Sequence, residues 1–212
     1  MKKITISILL ILLFSLPAFG LDFSVAYTKQ VPASENLGDF DGVKVSVSPN
    51  DAIFYLWTSG EHGRLTLGSQ QFTYIDLVGA GVGIKKIFDG FQIFADAGWF
   101  EPYSAYNDKI FAHGEDGFDR LWLHLNQAYA PSLGVHDFDY YKMHISGNFG
   151  GSFGIKYFYQ LSKNMEIYGL AGYRILSLPM IVEAWWDGNP NGWNRFENES
   201  LTGPFVGLGF SF

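Results

Sequence analysis

The sequence predicts an all-β fold, a transmembrane antiparallel up-and-down β-barrel of eight strands with short periplasmic turns and long extracellular loops. Three observations predict it. Aromatic residues make up 18% of the 212 residues and glycine occurs 25 times, whereas charged residues reach only 17%, a composition that suits many short strands and argues against a helical bundle. Apolar residues alternate with small or polar ones at a period of two. The connections between these segments alternate between tight and long, as in membrane barrels.

The first twenty residues are predicted to be a signal peptide. The basic pair Lys2-Lys3 precedes an apolar stretch over residues 4–16, and Pro17-Ala18-Phe19-Gly20 supplies small residues for a cleavage site. The competing interpretation is a membrane anchor, but the apolar stretch is too short for a transmembrane helix of ~20 residues. The sequence therefore predicts export, with residues 1–20 removed and a β-barrel domain over residues 21–212.

Eight segments of the exported chain carry the alternation expected of strands. In Phe91–Phe100, for example, the odd positions are apolar, while Gln92, Asp96 and Gly98 occupy even ones. The segment Ile53–Ser59 is less clear because it is apolar on both faces. The predicted strands span residues 22–29, 42–49, 52–60, 70–88, 91–103, 144–161, 165–182 and 203–212.

The turn lengths test the faces assigned to these strands. A two-residue turn at Asp89-Gly90, a favoured hairpin pair, places Phe88 opposite Phe91, and a three-residue turn after residue 161 places Phe153 opposite Tyr173. Directly opposed residues share a face, and both pairings join residues of the same predicted face. The tight connections lie at residues 50–51, 89–90 and 162–164, and the longer ones span residues 30–41, 60–69, 104–143 and 183–202.

A periplasmic β-sandwich is the soluble alternative, because its strands would alternate in the same way. A sandwich shows a charged face to water, however. The less apolar face of these strands consists of glycine, serine and a few isolated charges, which is too sparse for solvent and suits a narrow lumen. The barrel is therefore the preferred interpretation.

Five charged residues are predicted to face the lumen as a polar plug, and Lys85 is expected diagonally across a hairpin from Asp96. The interior of an eight-stranded barrel is only wide enough for side chains, and buried charges persist when they are paired. The strand count also excludes a water-filled porin, and a proton or ion pathway is the functional alternative to a structural plug. The predicted plug residues are Lys85, Asp96, Lys156, Glu166 and Arg174.

The last ten residues, Gly203–Phe212, resemble the closing strand of bacterial outer-membrane β-barrel proteins. In that family the chain ends on an aromatic residue preceded by apolar residues at alternate positions. Together with the signal peptide and strand count, the whole chain resembles the small eight-stranded barrels, such as the OmpA transmembrane domain, OmpX and Opa-type proteins, without a motif that selects one. The resemblance implies an outer-membrane location among lipid and lipopolysaccharide, and recognition by the barrel assembly machinery through Val206, Leu208, Phe210 and Phe212.

The charge of the exported chain lies in its long loops. Without the signal peptide, 12 basic and 21 acidic residues give a net charge of −9, and residues 30–41, 104–143 and 183–202 each contribute −3. This acidity excludes a nucleic-acid partner and suits divalent cations or basic partners, although a solvated exterior is the simpler interpretation. The chain contains no cysteine, so a disulfide scaffold and thiolate chemistry are excluded.

One loop contains a partial calcium motif. Asp187, Asn189 and Asn191, followed by Gly192, match the opening of a calcium-binding loop. The glutamate expected at the twelfth position is replaced by Asn198. These residues also form ordinary turns, so the sequence predicts a turn here and no metal or cofactor, with calcium binding as an alternative.

The largest insertion, residues 104–143, contains leucines and a tryptophan within Gly117–Ala130 that predict either a short amphipathic helix or an extension of strands above the membrane. Just after it, His144 and Ser146 are predicted to lie on one face of a strand. They loosely resemble the His-x-Ser of lipid A deacylase barrels, in which histidine activates serine, but Gly147 stands where that family has asparagine. The preferred prediction is a non-catalytic outer-membrane protein with an envelope-structural or surface-interaction role through acidic, aromatic loops.

Overall fold

A computed structural model describes residues 20–32, 37–67, 71–107, 110–111, 121–126, 140–186 and 189–212. The predicted signal peptide, apart from Gly20, lies outside these residues. Among the described residues there is no helix long and apolar enough to cross a membrane.

Eight antiparallel strands of the described chain close into a barrel. These strands are β1 (Leu21–Gln30), β2 (Leu37–Pro49), β3 (Phe54–Leu67), β4 (Gln71–Phe88), β5 (Phe91–Asn107), β9 (Asn148–Ser162), β10 (Met165–Ile175) and β13 (Gly203–Ser211). Their order around the wall is β4-β3-β2-β1-β13-β10-β9-β5, and pairing of β4 with β5 completes the circle. The eight-stranded barrel predicted from the sequence is confirmed.

The predicted strand pairings are also confirmed. Phe88 lies opposite Phe91 across the β4–β5 turn, and Phe153 lies opposite Tyr173 between β9 and β10. Gly90 has a φ of +77° in the β4–β5 turn, a left-handed conformation that glycine adopts without strain. The three tight turns lie at one end of the barrel, which is the periplasmic end in outer-membrane barrels.

The first and last strands of the barrel meet to close the wall. β1 and β13 pair in antiparallel register, with Val25 opposite Phe210. The pairing continues past the end of β13, because Phe212 and Phe23 exchange two backbone hydrogen bonds of 2.9 and 3.2 Å. The last residue of the chain is therefore part of the barrel seam.

A second sheet of four strands is built from segments that were predicted to be loops or barrel strands. Its strands, in order, are β12 (Asn189–Ser200), β11 (Ser177–Trp186), β8 (Tyr140–Ile145) and β7 (Leu121–Asn126). A further strand, β6 (Ile110–Phe111), pairs with β5. The described parts of the predicted loops 104–143 and 183–202 therefore contain strands, contrary to the prediction, and the predicted strands 144–161 and 165–182 are interrupted at residues 146–147 and at Leu176.

The sequence did not predict these strands for a physical reason. A strand in lipid must show one apolar face, whereas a strand above the membrane is free of that requirement and loses the alternation. β12, with the sequence NPNGWNRFENES, illustrates this. Of the two alternatives for Gly117–Ala130, the described part, β7, is a strand.

For the same reason, the alternation did not show the full length of β2 and β3, which extend beyond the predicted bounds 42–49 and 52–60 to Leu37 and Leu67. Outward positions in these extensions include the exposed charged residues Asp39 and Arg64. Lys29 of β1, for example, forms an exposed ion pair of 2.8 Å with Asp39 of β2. Part of the acidic segment predicted as a loop is therefore wall of the barrel above the lipid.

The outer wall is apolar and is bounded by aromatic pairs. Phe88 stacks on Phe91 at the periplasmic end, with ring centroids 4.6 Å apart, and Trp99 meets Phe149 edge-on at 5.2 Å nearer the other end. Such girdles mark the two faces of the lipid layer. Between them, exposed apolar side chains include Leu56, Val82, Ile84, Phe153, Ile155, Val206 and Leu208.

Candidate functional site: the barrel lumen

A buried carboxylate, Asp96 of β5, organises the middle of the lumen. It accepts hydrogen bonds from Lys44 Nζ at 2.6 Å, from Tyr55 Oη at 2.8 Å and from Ser152 Oγ at 2.6 Å. These partners lie on β2, β3 and β9. The Asp96 side chain is 1% exposed, so the ion pair with Lys44 replaces the water that both groups lost on burial.

A second ion pair lies nearer the extracellular end. The Arg174 guanidinium of β10 donates hydrogen bonds to both carboxylate oxygens of Glu61 on β3, one of them 2.8 Å long. Ser59 Oγ donates to Glu61 Oε1 at 3.1 Å, and the Phe100 ring lies 5.1 Å from the guanidinium. The two charged side chains are 7% and 3% exposed, so this bidentate pair crosses the barrel interior out of contact with water.

Lumen-facing glycines make room for large side chains from neighbouring strands. A Cβ at Gly79 would lie 2.9 Å from the Phe100 ring, and one at Gly98 would lie 2.6 Å from the Trp57 ring. Interleaving of glycine with aromatic residues fills the narrow interior. A cavity of about 30 Å³ remains beside Lys44 and Arg174.

An apolar cluster fills the extracellular mouth where the second sheet joins the barrel. Leu176, Leu178, Met180 and Leu201 are buried there together with residues of the barrel rim. Backbone and side-chain hydrogen bonds fasten the junction: Ser146 N donates to the Pro179 carbonyl at 3.0 Å, Asn148 Nδ2 to the Ser177 carbonyl at 2.8 Å, and Gln30 Nε2 to the Leu201 carbonyl. The described lumen is therefore packed from its middle to its extracellular end.

The periplasmic half of the lumen is open. A cavity of about 480 Å³ extends from the periplasmic turns to Tyr55 and Lys156, and we call it the vestibule. Lys85 lies on its wall, donating to Ser48 Oγ at 2.7 Å and pairing with Asp22 at 3.3 Å. Glu166 lies nearer the opening, opposite Ser211.

The five residues predicted as a polar plug thus occupy different places. Asp96 and Arg174 are buried in separate ion pairs, and Lys85, Lys156 and Glu166 line the vestibule. Lys85 and Asp96 do lie diagonally across the β4–β5 hairpin, but their polar partners are different residues.

The partners that complete the two ion pairs, Lys44 and Glu61, were missed by the sequence reasoning. Lys44 shares the lumen-facing phase of β2, as its alternation with the neighbouring valines indicates. Glu61 follows Tyr55, Trp57 and Ser59 at intervals of two, but it stands one residue beyond the predicted end of that strand. Extending the strand would have placed it on the lumen face.

The two other sequence motifs lie in the extracellular part. His144 belongs to β8 and pairs with Ile181 and Trp122 of the second sheet, whereas Ser146 lies in the break before β9. The prediction that both lie on one face of a strand was wrong, because the chain changes sheets between them. Asp187 lies outside the described residues, and Asn189 and Asn191 belong to β12 rather than to a turn.

Several solved structures are similar to this chain, among them the following three. A major outer membrane protein from Thermus thermophilus has a TM-score of 0.44 and 9% identity over 91% of this chain and 98% of the other. Neisserial surface protein A has a TM-score of 0.39 and 11% identity over 90% of this chain and 94% of the other. The translocator domain of the autotransporter NalP from Neisseria meningitidis has a TM-score of 0.32 and 11% identity over 100% of this chain and 96% of the other. No protein-family model and no curated protein sequence matches the chain.

The chain's own wall identifies where it resides. A closed sheet leaves no unpaired edge in hydrocarbon, and the outward apolar band is bounded by aromatic residues at both ends. This combination is the architecture of an outer-membrane β-barrel, and the chain is a protein of that class in the outer membrane.

Proposed function

We propose that this protein is an exported, non-catalytic surface-interaction protein of the outer membrane, in which a plugged barrel presents a folded extracellular sheet. The observation that carries the proposal is the second sheet, whose strands β7, β8, β11 and β12 pair with one another outside the barrel wall. Segments that connect barrel strands are where binding functions concentrate when a rigid scaffold positions them.

The junction with the barrel supports this role. Leu178 and Met180 of β11 are buried at the mouth, so the base of the sheet is anchored by packing as well as by hydrogen bonds. A binding surface that is ordered before contact loses less entropy on binding than a free loop does. The acidity of these segments suits a basic partner surface.

The lumen supports a structural rather than a conducting role. Each of the two ion pairs is held by partners on different strands, so in this proposal they tie opposite walls together and plug the barrel. Nothing in the placement of His144 and Ser146 favours catalysis, and Ser146→Ala is expected to leave the lipid A of expressing cells unchanged.

The test removes the hairpin formed by β11 and β12 and keeps the barrel. Replacing residues 177–200 by a two-residue turn deletes β11 and β12 while leaving β10 and β13, which pair through Arg174 and Gly203. Cells expressing the intact protein, the shortened protein or neither are compared for adhesion to one another and to protein-coated surfaces, and for entry of a hydrophobic dye. Heat-modifiable mobility on a gel verifies that both proteins are folded.

We expect the shortened protein to lose adhesion and to leave dye entry unchanged. A change in dye entry with adhesion unaffected would instead support an envelope-structural role. Adhesion that is equal in all three cultures would contradict the proposed surface interaction.

The proposal includes assembly through the C-terminal strand. Deleting Phe212 removes the two backbone hydrogen bonds with Phe23 and the aromatic end that the assembly machinery is proposed to recognise. We expect normal export but at least severalfold less folded protein in outer-membrane fractions, whereas Phe212→Tyr should assemble normally. Equal outer-membrane levels of the deletion and the intact protein would contradict this role.

A further inference from the structure

The vestibule contains a lysine side chain that has no acidic partner among the described residues. Lys85 on its wall is paired with Asp22, and Lys44, deeper in the lumen, is paired with Asp96. Lys156 of β9 has no ion pair or hydrogen bond within the described chain. Its Nζ instead lies 4.7 Å from the Tyr168 ring centroid and 5.8 Å from that of Phe94. Aromatic faces attract a cation, but they provide neither a counter-ion nor a hydrogen-bond acceptor.

A second donor without a partner lies beside it. Gln92 of β5 stands directly opposite Lys156 in the β5–β9 register, a spacing of about 5 Å between Cβ atoms. The residue is 4% exposed, and its Nε2 has no acceptor among the described residues. Buried amide donors are normally bonded, so both neighbouring groups lack an acceptor on the same wall of the vestibule.

The acidic groups of the vestibule lie elsewhere. Glu166 is on β10 four residues before Leu170, the residue paired with Lys156, which is ~13 Å along a strand. Asp51 and Asp89 belong to the periplasmic turns. The cavity is therefore basic at its inner end and acidic at its opening, an arrangement that repels polyanions and leaves room for a small one.

We propose that the vestibule is a binding site for a small oxyanion, a single carboxylate or phosphate group held by Lys156 Nζ and Gln92 Nε2. Charge-assisted hydrogen bonds from an ammonium group suit either anion. Access is from the periplasm, because the packed lumen above Asp96 separates the vestibule from the extracellular side. The site is independent of the extracellular sheet.

The experiment uses the full exported chain folded in detergent micelles and isotopically labelled for NMR. Sodium acetate, sodium phosphate and sodium chloride are titrated separately at constant ionic strength, and the side-chain amide of Gln92 is monitored. The variants are Lys156→Met and Gln92→Leu. The matched control is Lys163→Met, which removes a lysine from the exposed turn between β9 and β10.

We expect saturable shifts of the Gln92 amide with acetate or phosphate and no saturation with chloride. The preferred anion distinguishes a carboxylate site from a phosphate site. Lys156→Met should weaken the binding at least tenfold, and the Lys163→Met protein should bind like the original. Gln92→Leu, monitored through the backbone amide of Lys156, should also weaken the binding. Because this variant keeps Lys156, it tests the site even if Lys156→Met fails to fold.

Three results would overturn the proposal. If chloride saturates the site at the same concentrations as the oxyanions, the site binds any small counter-ion and has no preference for oxyanions. Equal binding by Lys156→Met and the original protein would place the anion elsewhere. Shifts that never saturate with any anion would show that no site exists.

Discussion

Asp96→Ala is expected to lower the free energy of unfolding by about 3–5 kcal/mol, the cost of removing one partner of a buried ion pair. The carboxylate serves three donors at once, so its loss leaves the Lys44 ammonium, the Tyr55 hydroxyl and the Ser152 hydroxyl without their acceptor. The measurement is the urea dependence of unfolding of the barrel in lipid vesicles, followed by tryptophan fluorescence.

Two comparisons isolate the effect of burial. Asp39→Ala also breaks an aspartate–lysine pair, but that pair is about half exposed on both sides, so its loss should cost far less than the loss of the buried pair. The double variant Lys44→Met/Asp96→Leu replaces the whole pair by apolar groups and should recover much of the stability. An Asp96→Ala variant that is as stable as Asp39→Ala would contradict the buried ion pair at the centre of the lumen.

Ala95→Arg, one residue earlier in the chain, is expected to cost about 2–4 kcal/mol for a different reason. Ala95 is exposed on the outer wall, between Ile84 and Phe153 on the neighbouring strands. It stands midway along β5 between Phe91 and Trp99, which belong to the two aromatic girdles. An arginine at this point therefore places its charge at the middle of the lipid layer.

The control for Ala95→Arg moves the same charge out of the lipid layer. Val31 is exposed just beyond the extracellular end of β1, and Val31→Arg should cost only about 0–1 kcal/mol. The measurement is again unfolding by urea in lipid vesicles. Equal losses for the two arginine variants would contradict the assigned position of the lipid layer.

The barrel was predictable because lipid imposes the alternation that the sequence displays. Within the wall, an outward residue must be apolar and an inward one must fit a narrow interior, so the sequence of β5 shows both faces directly. The second sheet escaped prediction because its strands are outside the lipid. At Leu176 the chain even keeps its phase, since Arg174, Leu176 and Leu178 are all buried, so alternation alone gave no signal that a new sheet begins.

The pairing inside the lumen was less predictable than the wall. Register determines which residues lie on adjacent strands, and it correctly placed Lys85 diagonal to Asp96. The lysine that binds Asp96 is Lys44, however, 52 residues away on β2, a strand that is not adjacent to β5. Such contacts depend on closure of the barrel and on the reach of long side chains across it, and neither is contained in local alternation.

β5 and β9 show their odd-numbered residues to lipid and their even-numbered residues to a closed lumen, and the assignment of the whole wall depends on this register. Single cysteines test it directly, because the chain has no native thiol. In vesicle-reconstituted protein, Ala95→Cys and Ile155→Cys should react with a lipid-soluble maleimide, whereas Ser152→Cys, beside Asp96 on the lumen side, should not. Labelling of Ser152→Cys from the lipid phase, with Ala95→Cys and Ile155→Cys protected, would show that the register is shifted by one residue and would contradict the account.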